Sequence, residues 1–193
     1  FGLEGVLDIS GARLTGVVGQ SYRVNSSRDF GEGTGLNRPF SDIVMGFGAQ
    51  VDNWFDGATR VRWNASNGSL SAAESRVRVG YDPIQVSLTH TMFDARTADG
   101  LTLDSVHQVD ASVRARFGDY WAGFVRHQRD LDDNRALRSQ IGISYADECL
   151  RFETVFTRES FKNAEVADDS SISLRIALRT LGMCSNNRDR VAR

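Results

Sequence analysis

Apolar and polar side chains alternate with a period of two residues along most of the chain. In the stretch "VHQVDASVRARF", residues 106–117, apolar side chains take every second position from Val109 to Phe117, and polar ones fill the positions between. The same alternation runs from Ile172 to Leu178. An α-helix would need an apolar spacing near 3.6 residues, which these segments lack. The pattern therefore predicts β-strands that have one apolar and one polar face.

Segments of this kind recur through the whole sequence and predict an all-β fold of about eleven antiparallel strands. Most of them are about 9 to 12 residues long, which is the length that a tilted strand needs to cross a bilayer. No run of 18 or more apolar residues exists, which excludes a transmembrane helix. The predicted strands cover approximately residues 2–9, 13–24, 41–52, 57–67, 73–82, 84–94, 105–117, 119–129, 135–146, 148–159 and 169–181.

The connections between these segments alternate in length. Short turns at one rim and long loops at the other are the layout of a transmembrane β-barrel of the outer-membrane type. Aromatic residues near the strand ends resemble the girdles of membrane interfaces. The tight connections are Ser10–Ala12, Asn53–Asp56, Asp82–Pro83, Gly118–Asp119 and Ala146–Asp147, and the longer ones are Asn25–Phe40, Asn67–Ala72, Ala95–Asp104, Asp130–Asn134 and Ser160–Asp168.

Arginine dominates the polar face of the predicted strands. Of the 23 basic residues, Lys162 is the one lysine, so 22 are arginines. In a barrel the polar face lines the lumen. Two interpretations stay open there: ladder pairs with Asp110, Glu74 and Glu153 on adjacent strands, or a wall that handles phosphate groups. The predicted lumen-facing residues are Arg60, Arg62, Arg76, Arg78, Arg114, Arg116, Arg126, Arg138, Arg175 and Arg179.

Catalytic and cofactor chemistry has little support in the sequence. His90, His107 and His127 each stand alone on a strand, and Asp110 falls on the face opposite to His107, so a hydrolytic triad is not expected. The glycines of "DFGEGTGLNRPFSDIV" precede a strand and not a helix, so they predict a turn-rich loop rather than a phosphate-binding loop. We expect no enzyme activity, no metal and no cofactor. A net charge of −2 gives no general attraction to nucleic acid.

Three blocks in series resemble the C-terminal barrel of the LptD family of lipopolysaccharide-assembly proteins, also called organic solvent tolerance proteins. They are "GQSYRVN" with "GTGLNRPFSDIVMGFGAQ" in residues 19–50, "NRALRSQIGISYADECLRFETVFTRES" in residues 134–160, and "SISLRIALRTLG" in residues 171–182. The resemblance is nearest to alphaproteobacterial members.

This resemblance implies an outer-membrane location in a Gram-negative cell and a role in lipopolysaccharide transport. In the family a periplasmic jelly-roll domain precedes a large barrel, which encloses an LptE-like lipoprotein and receives lipopolysaccharide from an LptA-like bridge. Residues 1–182 would form the C-terminal part of that barrel, followed by a polar tail, residues 183–193. The last strand would be one lip of the lateral gate, with Ile172, Leu174, Ile176 and Leu178 on its lipid side.

The family resemblance also bears on the two cysteines. Many enterobacterial members carry two adjacent cysteines at the turn where this chain has Glu148 and Cys149, and each is bonded to a cysteine of the periplasmic domain. We therefore expect Cys149 to be a tether to that domain. Three alternatives stay open for Cys184: a second tether, a bond to Cys149, or a free thiol.

Two other classes of protein would show the same alternation of apolar and polar residues. A general diffusion porin or adhesin barrel would conduct ions without a lipoprotein partner. A soluble β-sandwich would have the same period, but its strands would be shorter and it would need a second apolar face.

Overall fold

The computed structural model describes residues 1–24, 39–98, 101–160 and 169–178. Thirteen strands lie in these ranges. They are β1 (Gly2–Ile9), β2 (Ala12–Gly19), β3 (Ile43–Val51), β4 (Phe55–Asn64), β5 (Ser69–Val79), β6 (Ile84–Phe93), β7 (Arg96–Ala98), β8 (Leu101–Leu103), β9 (Val106–Phe117), β10 (Trp121–Asp130), β11 (Arg135–Ala146), β12 (Leu150–Glu159) and β13 (Asp169–Leu178).

Eleven of these strands form a single antiparallel sheet in which each strand pairs with the next one along the chain. β7 and β8 pair only with each other, so β6 and β9 are neighbours in the large sheet. The predicted count of eleven long strands is confirmed. Such a meander keeps every backbone pairing local, which is the connectivity of up-and-down barrels.

The sheet has two chemically different faces, because side chains of paired residues point to the same side in every strand pair. Within the described part of the chain, no apolar side chain is buried. Ile172 and Leu178 on β13 are 75% and 71% exposed. An apolar face of this extent without a protein core beneath it is the surface that hydrocarbon would cover.

The connections alternate between the two edges of the sheet, and the predicted alternation in length holds for only part of them. The turns 10–11, 52–54, 80–83, 118–120 and 147–149 lie at one edge, here called the short-turn rim, and have two to four residues each. The connections at the opposite edge, the long-loop rim, are 20–42, 65–68, 94–105, 131–134 and 160–168. Two of these, 65–68 and 131–134, have only four residues. The predicted loop Asn67–Ala72 is wrong in extent, because β5 already begins at Ser69.

The predicted loop Ala95–Asp104 contains the hairpin of β7 and β8, which was not predicted from the sequence. Its three-residue strands are too short to show an alternation of apolar and polar positions. The sequence Asp99-Gly100 between them was the available signal, since Asp-Gly favours two-residue hairpin turns. The glycines between β2 and β3 lie outside the described residues, as does the whole of the predicted tail 183–193.

Aromatic rings gather at the short-turn rim. Trp54 lies 6.4 Å from Tyr81 between ring centroids, and Tyr145 lies 5.0 Å from Trp121 and 5.8 Å from Tyr120. The predicted girdle is therefore present at this edge. Rings with a polar tip suit the boundary between hydrocarbon and water.

The sheet is open within the described residues, since β1 and β13 each have a paired neighbour on one side only. The outer edges of these two strands present unpaired backbone N–H and C=O groups, which hydrocarbon does not tolerate. No helix in the described ranges is long and apolar enough to span a membrane.

Candidate functional site

The predicted arginines meet on one face of the sheet, here called the polar face. One row of cross-strand partners shows how the register achieves this: Arg78 lies opposite Ser87, Ser87 opposite Ser112, Ser112 opposite Arg126, and Arg126 opposite Gln140. The row crosses five strands without leaving the face. By the same register this face also holds Arg60, Arg62, Arg76, Arg114, Arg116, Arg138 and Arg175.

The predicted gate-strand residues lie on the opposite side. Ile172, Leu174 and Ile176 are paired with Phe156, Thr154 and Phe152 on the apolar face, and Leu178 with Leu150. All four are more than half exposed. Arg179, which was predicted to face the lumen, lies outside the described residues.

Six arginines of the polar face form ion pairs with neighbouring carboxylates. The predicted ladder partner Asp110 does pair, with Arg126, whereas Glu153 contacts Arg151 instead of Arg175. Arg13 and Arg151 were not among the predicted residues, although both alternate with apolar neighbours. The ion pairs are Arg13–Asp8 (2.7 Å), Arg62–Asp42 (3.4 Å), Arg116–Asp82 (2.7 Å), Arg126–Asp110 (2.8 Å), Arg138–Glu159 (2.6 Å) and Arg151–Glu153 (3.4 Å).

The pair Arg62–Asp42 is the least solvated of the six. The two side chains are 22% and 10% exposed, and the long separation leaves Nε and Nη2 of Arg62 buried without a hydrogen-bond partner. Desolvation of both groups offsets much of their attraction. This pair therefore positions the start of β3 against β4 and offers little charge to a ligand.

Five other arginines of this face, Arg60, Arg76, Arg78, Arg114 and Arg175, carry their charge without such a partner among the described residues, and three of them lie close together. Arg76, Arg78 and Arg114, here called the arginine cluster, form no ion pair with any described carboxylate. Arg76 and Arg78 lie on β5 and Arg114 on β9, with β6 between them. Two strand spacings separate their backbones by about 10 Å.

A groove of about 440 Å³ runs over the arginine cluster on the polar face. Its walls contain four arginines and one aspartate, a net formal charge of +3. Asp110 forms its ion pair with Arg126 and therefore does not neutralise the arginine cluster. The three guanidinium groups of the cluster can attract an anion. Gln85 and Ser87 of β6 lie between them and add uncharged hydrogen-bonding groups. Guanidinium groups bind phosphate oxygens through charge-assisted hydrogen bonds, often two at a time.

Phe124 is an aromatic side chain on the polar face that was not among the residues predicted from the sequence. It lies opposite Arg114 on one neighbouring strand and opposite Gly142 on the other. Its ring covers Gly142, so that a Cβ at this position would overlap it. Phe124 thus gives the charged groove one apolar wall, next to the arginine cluster.

The histidines lie on the apolar face, near the long-loop rim. His107 and Asp110 are on opposite faces, as predicted. The structure also brings together groups that sequence spacing kept apart: Nε2 of His107 lies 3.0 Å from Nε2 of His90, and its Nδ1 lies 3.2 Å from Oδ1 of Asp132. These contacts join two strands and a turn. His127 instead contacts the hydroxyl of Ser139, at 2.9 Å.

Cys149 lies in the turn between β11 and β12 and is disulfide-bonded. The chain contains one other cysteine, Cys184, which lies outside the described residues. Backbone pairing of Leu150 with Leu178 places the start of β12 beside the end of β13.

A long antiparallel meander with an apolar outer face, a girdle of aromatic rings and an arginine-rich polar face defines a β-barrel sheet of the outer-membrane class. The sequence profile described as "LptD: LPS transport system D" matches residues 4–121, more than half of the 193 residues. The chain therefore belongs to the LptD family, whose proteins act in lipopolysaccharide transport and assembly at the outer membrane. No curated relative matches the sequence.

Proposed function

We propose that this chain forms part of the wall and one gate lip of a barrel that moves lipopolysaccharide through the outer membrane. The observation that carries the proposal is the arginine cluster, three guanidinium groups without carboxylate partners in a groove of the polar face. In a barrel this face lines the lumen. The phosphorylated sugars of lipopolysaccharide carry the charges that such a groove attracts.

The ion-paired arginines have a different role in this proposal. Arg116, Arg126 and Arg138 hold neighbouring strands and turns together through Asp82, Asp110 and Glu159. Their charge is largely balanced, so they contribute less to the attraction of a phosphate group. The arginines that attract phosphate groups most strongly are therefore those that lack a carboxylate partner.

We place the lateral gate at β13. The outer backbone edge of this strand has no partner among the described residues, and Ile172, Leu174, Ile176 and Leu178 present an apolar surface beside that edge. A seam between β13 and the first strand of the whole barrel would let acyl chains leave into lipid while the sugar stays in the polar lumen. Residues 1–182 are the C-terminal part of that barrel in this proposal.

We propose two protein partners, on the pattern of the family. An LptE-like lipoprotein inside the barrel would contact the polar face, and an LptA-like bridge would deliver lipopolysaccharide through a periplasmic domain. In this orientation the short-turn rim faces the periplasm. The exposed carboxylate of Asp82 and the turn that carries Cys149 lie at this rim.

The experiment replaces the arginine cluster in the full-length protein. The triple variant Arg76→Ser, Arg78→Ser, Arg114→Ser is compared with the triple lysine variant, which keeps the charge at the same positions. Delivered lipopolysaccharide is quantified by photo-crosslinking to the barrel. We expect the serine variant to lose most of the crosslinking and the lysine variant to keep much of it. Equal crosslinking in the parent and the serine variant would refute the electrostatic role.

A further inference from the structure

A second polar cluster lies on the apolar face, away from the arginine groove. It is formed by His90 near the end of β6, His107 near the start of β9, and Asp132 in the turn between β10 and β11. The two imidazole rings are edge-to-face, with centroids 5.1 Å apart. The cluster faces outward, since the side chains of His107 and Asp132 are 36% and 51% exposed.

The hydrogen bonds fix where the lone pairs point. An ionised carboxylate can only accept, so Nδ1 of His107 donates to Asp132 over 3.2 Å. In the neutral ring, Nε2 of His107 then carries a lone pair, and this lone pair points at Nε2 of His90 at 3.0 Å. The Nε2 atoms of His90 and His107 therefore face one position between them. Without a metal ion, the proton on Nε2 of His90 lies at this position.

The separation of the two nitrogens is also near the one that two ligands of a single metal ion have. Metal–imidazole bonds are about 2.0–2.1 Å long, so two nitrogens at a tetrahedral ion lie about 3.3 Å apart, close to the present separation. A carboxylate that accepts the second N–H of a ligating histidine is the usual outer partner of such sites. Asp132 has this relation to His107.

A soft third ligand is available on the same face. Met92 lies opposite His107 in the strand register, two residues after His90 on β6. Thioether sulfur favours copper, and copper also stands highest in the affinity order of the divalent metals for nitrogen ligands. Asp133 follows Asp132 in the same turn, and this second carboxylate favours a cation over a phosphate group at this place.

We propose that His90, Met92 and His107 form a copper-binding site on the outer face of the barrel wall, with Asp132 as the positioning residue of His107. No group of three or more His, Cys, Asp or Glu side chains in the described part of the chain could hold a metal ion, and the proposed site accordingly has only two such ligands, with the Met92 thioether as the third. The site lies at the level where the strands end at the long-loop rim. It does not depend on the lipopolysaccharide groove.

The test is a calorimetric titration of metal-stripped, full-length protein in detergent with Cu²⁺. The parent is expected to bind one more copper ion per chain than either His90→Gln or His107→Gln, and the paramagnetic resonance spectrum of that ion should show coupling to two nitrogens. Asp132→Asn should weaken this binding by about 10- to 100-fold, which is the usual cost of losing such an outer partner. Met92→Leu should weaken binding of Cu⁺ more than that of Zn²⁺.

His127→Gln is the matched control, because His127 lies on the same face but contacts Ser139. It should bind copper as the parent does, and the circular dichroism of all variants should match the parent. Equal copper stoichiometry in the parent, His90→Gln and His107→Gln would overturn the proposal. So would a loss in His127→Gln as large as that in His107→Gln, since this would indicate unspecific binding to surface histidines.

Discussion

Asp147 holds the backbone of Cys149 in place, because its Oδ1 accepts a hydrogen bond from the Cys149 amide at 2.8 Å. The same oxygen accepts a second bond from the amide of Leu150 at 2.7 Å, and the Tyr145 hydroxyl donates to Oδ2 at 3.0 Å. These bonds favour the ionised carboxylate and lower the pKa of Asp147, the two backbone amides most strongly and Tyr145 after them. One carboxylate thus shapes the turn that carries the disulfide.

The stabilising effect of Asp147 should depend on pH. A lowered pKa in the folded state means that the contribution is present above the ordinary carboxyl pKa of about 3.9 and is lost as the pH falls through the folded value. Asp147→Ala should therefore melt below the parent at pH 7, with the gap closing in acid below the ordinary pKa. Asp119→Ala, in the turn between β9 and β10, is the control. A gap of constant size from neutral to strongly acidic pH would contradict this reading.

Cys149 should be linked to Cys184 in the mature protein. Peptide mapping by mass spectrometry under non-reducing conditions should give a joined peptide that separates on reduction, and Cys184→Ser should leave Cys149 reactive to a thiol reagent. This bond would join the turn before β12 to the tail that follows β13. Recovery of Cys149 joined to a cysteine of a preceding domain would instead support the tether that the family resemblance implies.

A side chain at position 142 should destabilise the sheet through Phe124. The Cβ of Gly142→Ala would meet the ring of Phe124, and forcing such an overlap costs about 1–3 kcal/mol. Gly16→Ala is the control, since nothing lies within 4 Å of its added Cβ. Thermal unfolding of the two variants in detergent measures the difference. An equal shift for both would show that the ring moves aside without cost.

The net charge of the groove, and with it the affinity for lipopolysaccharide, should depend on its one carboxylate, Asp110. Asp110→Asn releases Arg126 from its ion pair and raises the net formal charge of the groove from +3 to +4. We expect stronger binding of lipopolysaccharide by about 1 kcal/mol, roughly fivefold in Kd. Stability should change little, because the ion pair is partly exposed. Titration with labelled lipopolysaccharide checks the affinity, and a weaker affinity would contradict the assignment of Asp110 as a neutralising group.

Sequence alone predicts the strands because a period of two is a property of the chain itself. The alternation from Val109 to Phe117 recurs as one strand face in the sheet, and the arginines between these positions share the other face. Which carboxylate each arginine contacts could not be predicted, since this depends on strand register and side-chain rotamers. Glu153 lies opposite Arg175 in the register but contacts Arg151.

The contact between His90 and His107 could not be predicted either, because it also depends on strand register. The two residues lie on strands that are neighbours only because the hairpin of β7 and β8 stands outside the large sheet. Asp132 joins them from a turn that is a further strand away. The spacing of residues along one strand does not show which strand it pairs with when a hairpin is inserted between the two.

The central claim is that the polar face, and not the apolar face, meets lipopolysaccharide in transit. Ser87 and Leu88 are adjacent on β6 and point to opposite faces, so a photoreactive amino acid at each position compares the two faces at one level of the sheet. The measurement uses full-length protein in phospholipid vesicles free of lipopolysaccharide, to which lipopolysaccharide is delivered from outside the membrane. We predict transport-dependent crosslinks at position 87 and few at position 88 while transport proceeds. Crosslinks at position 88 with none at position 87 would contradict the account.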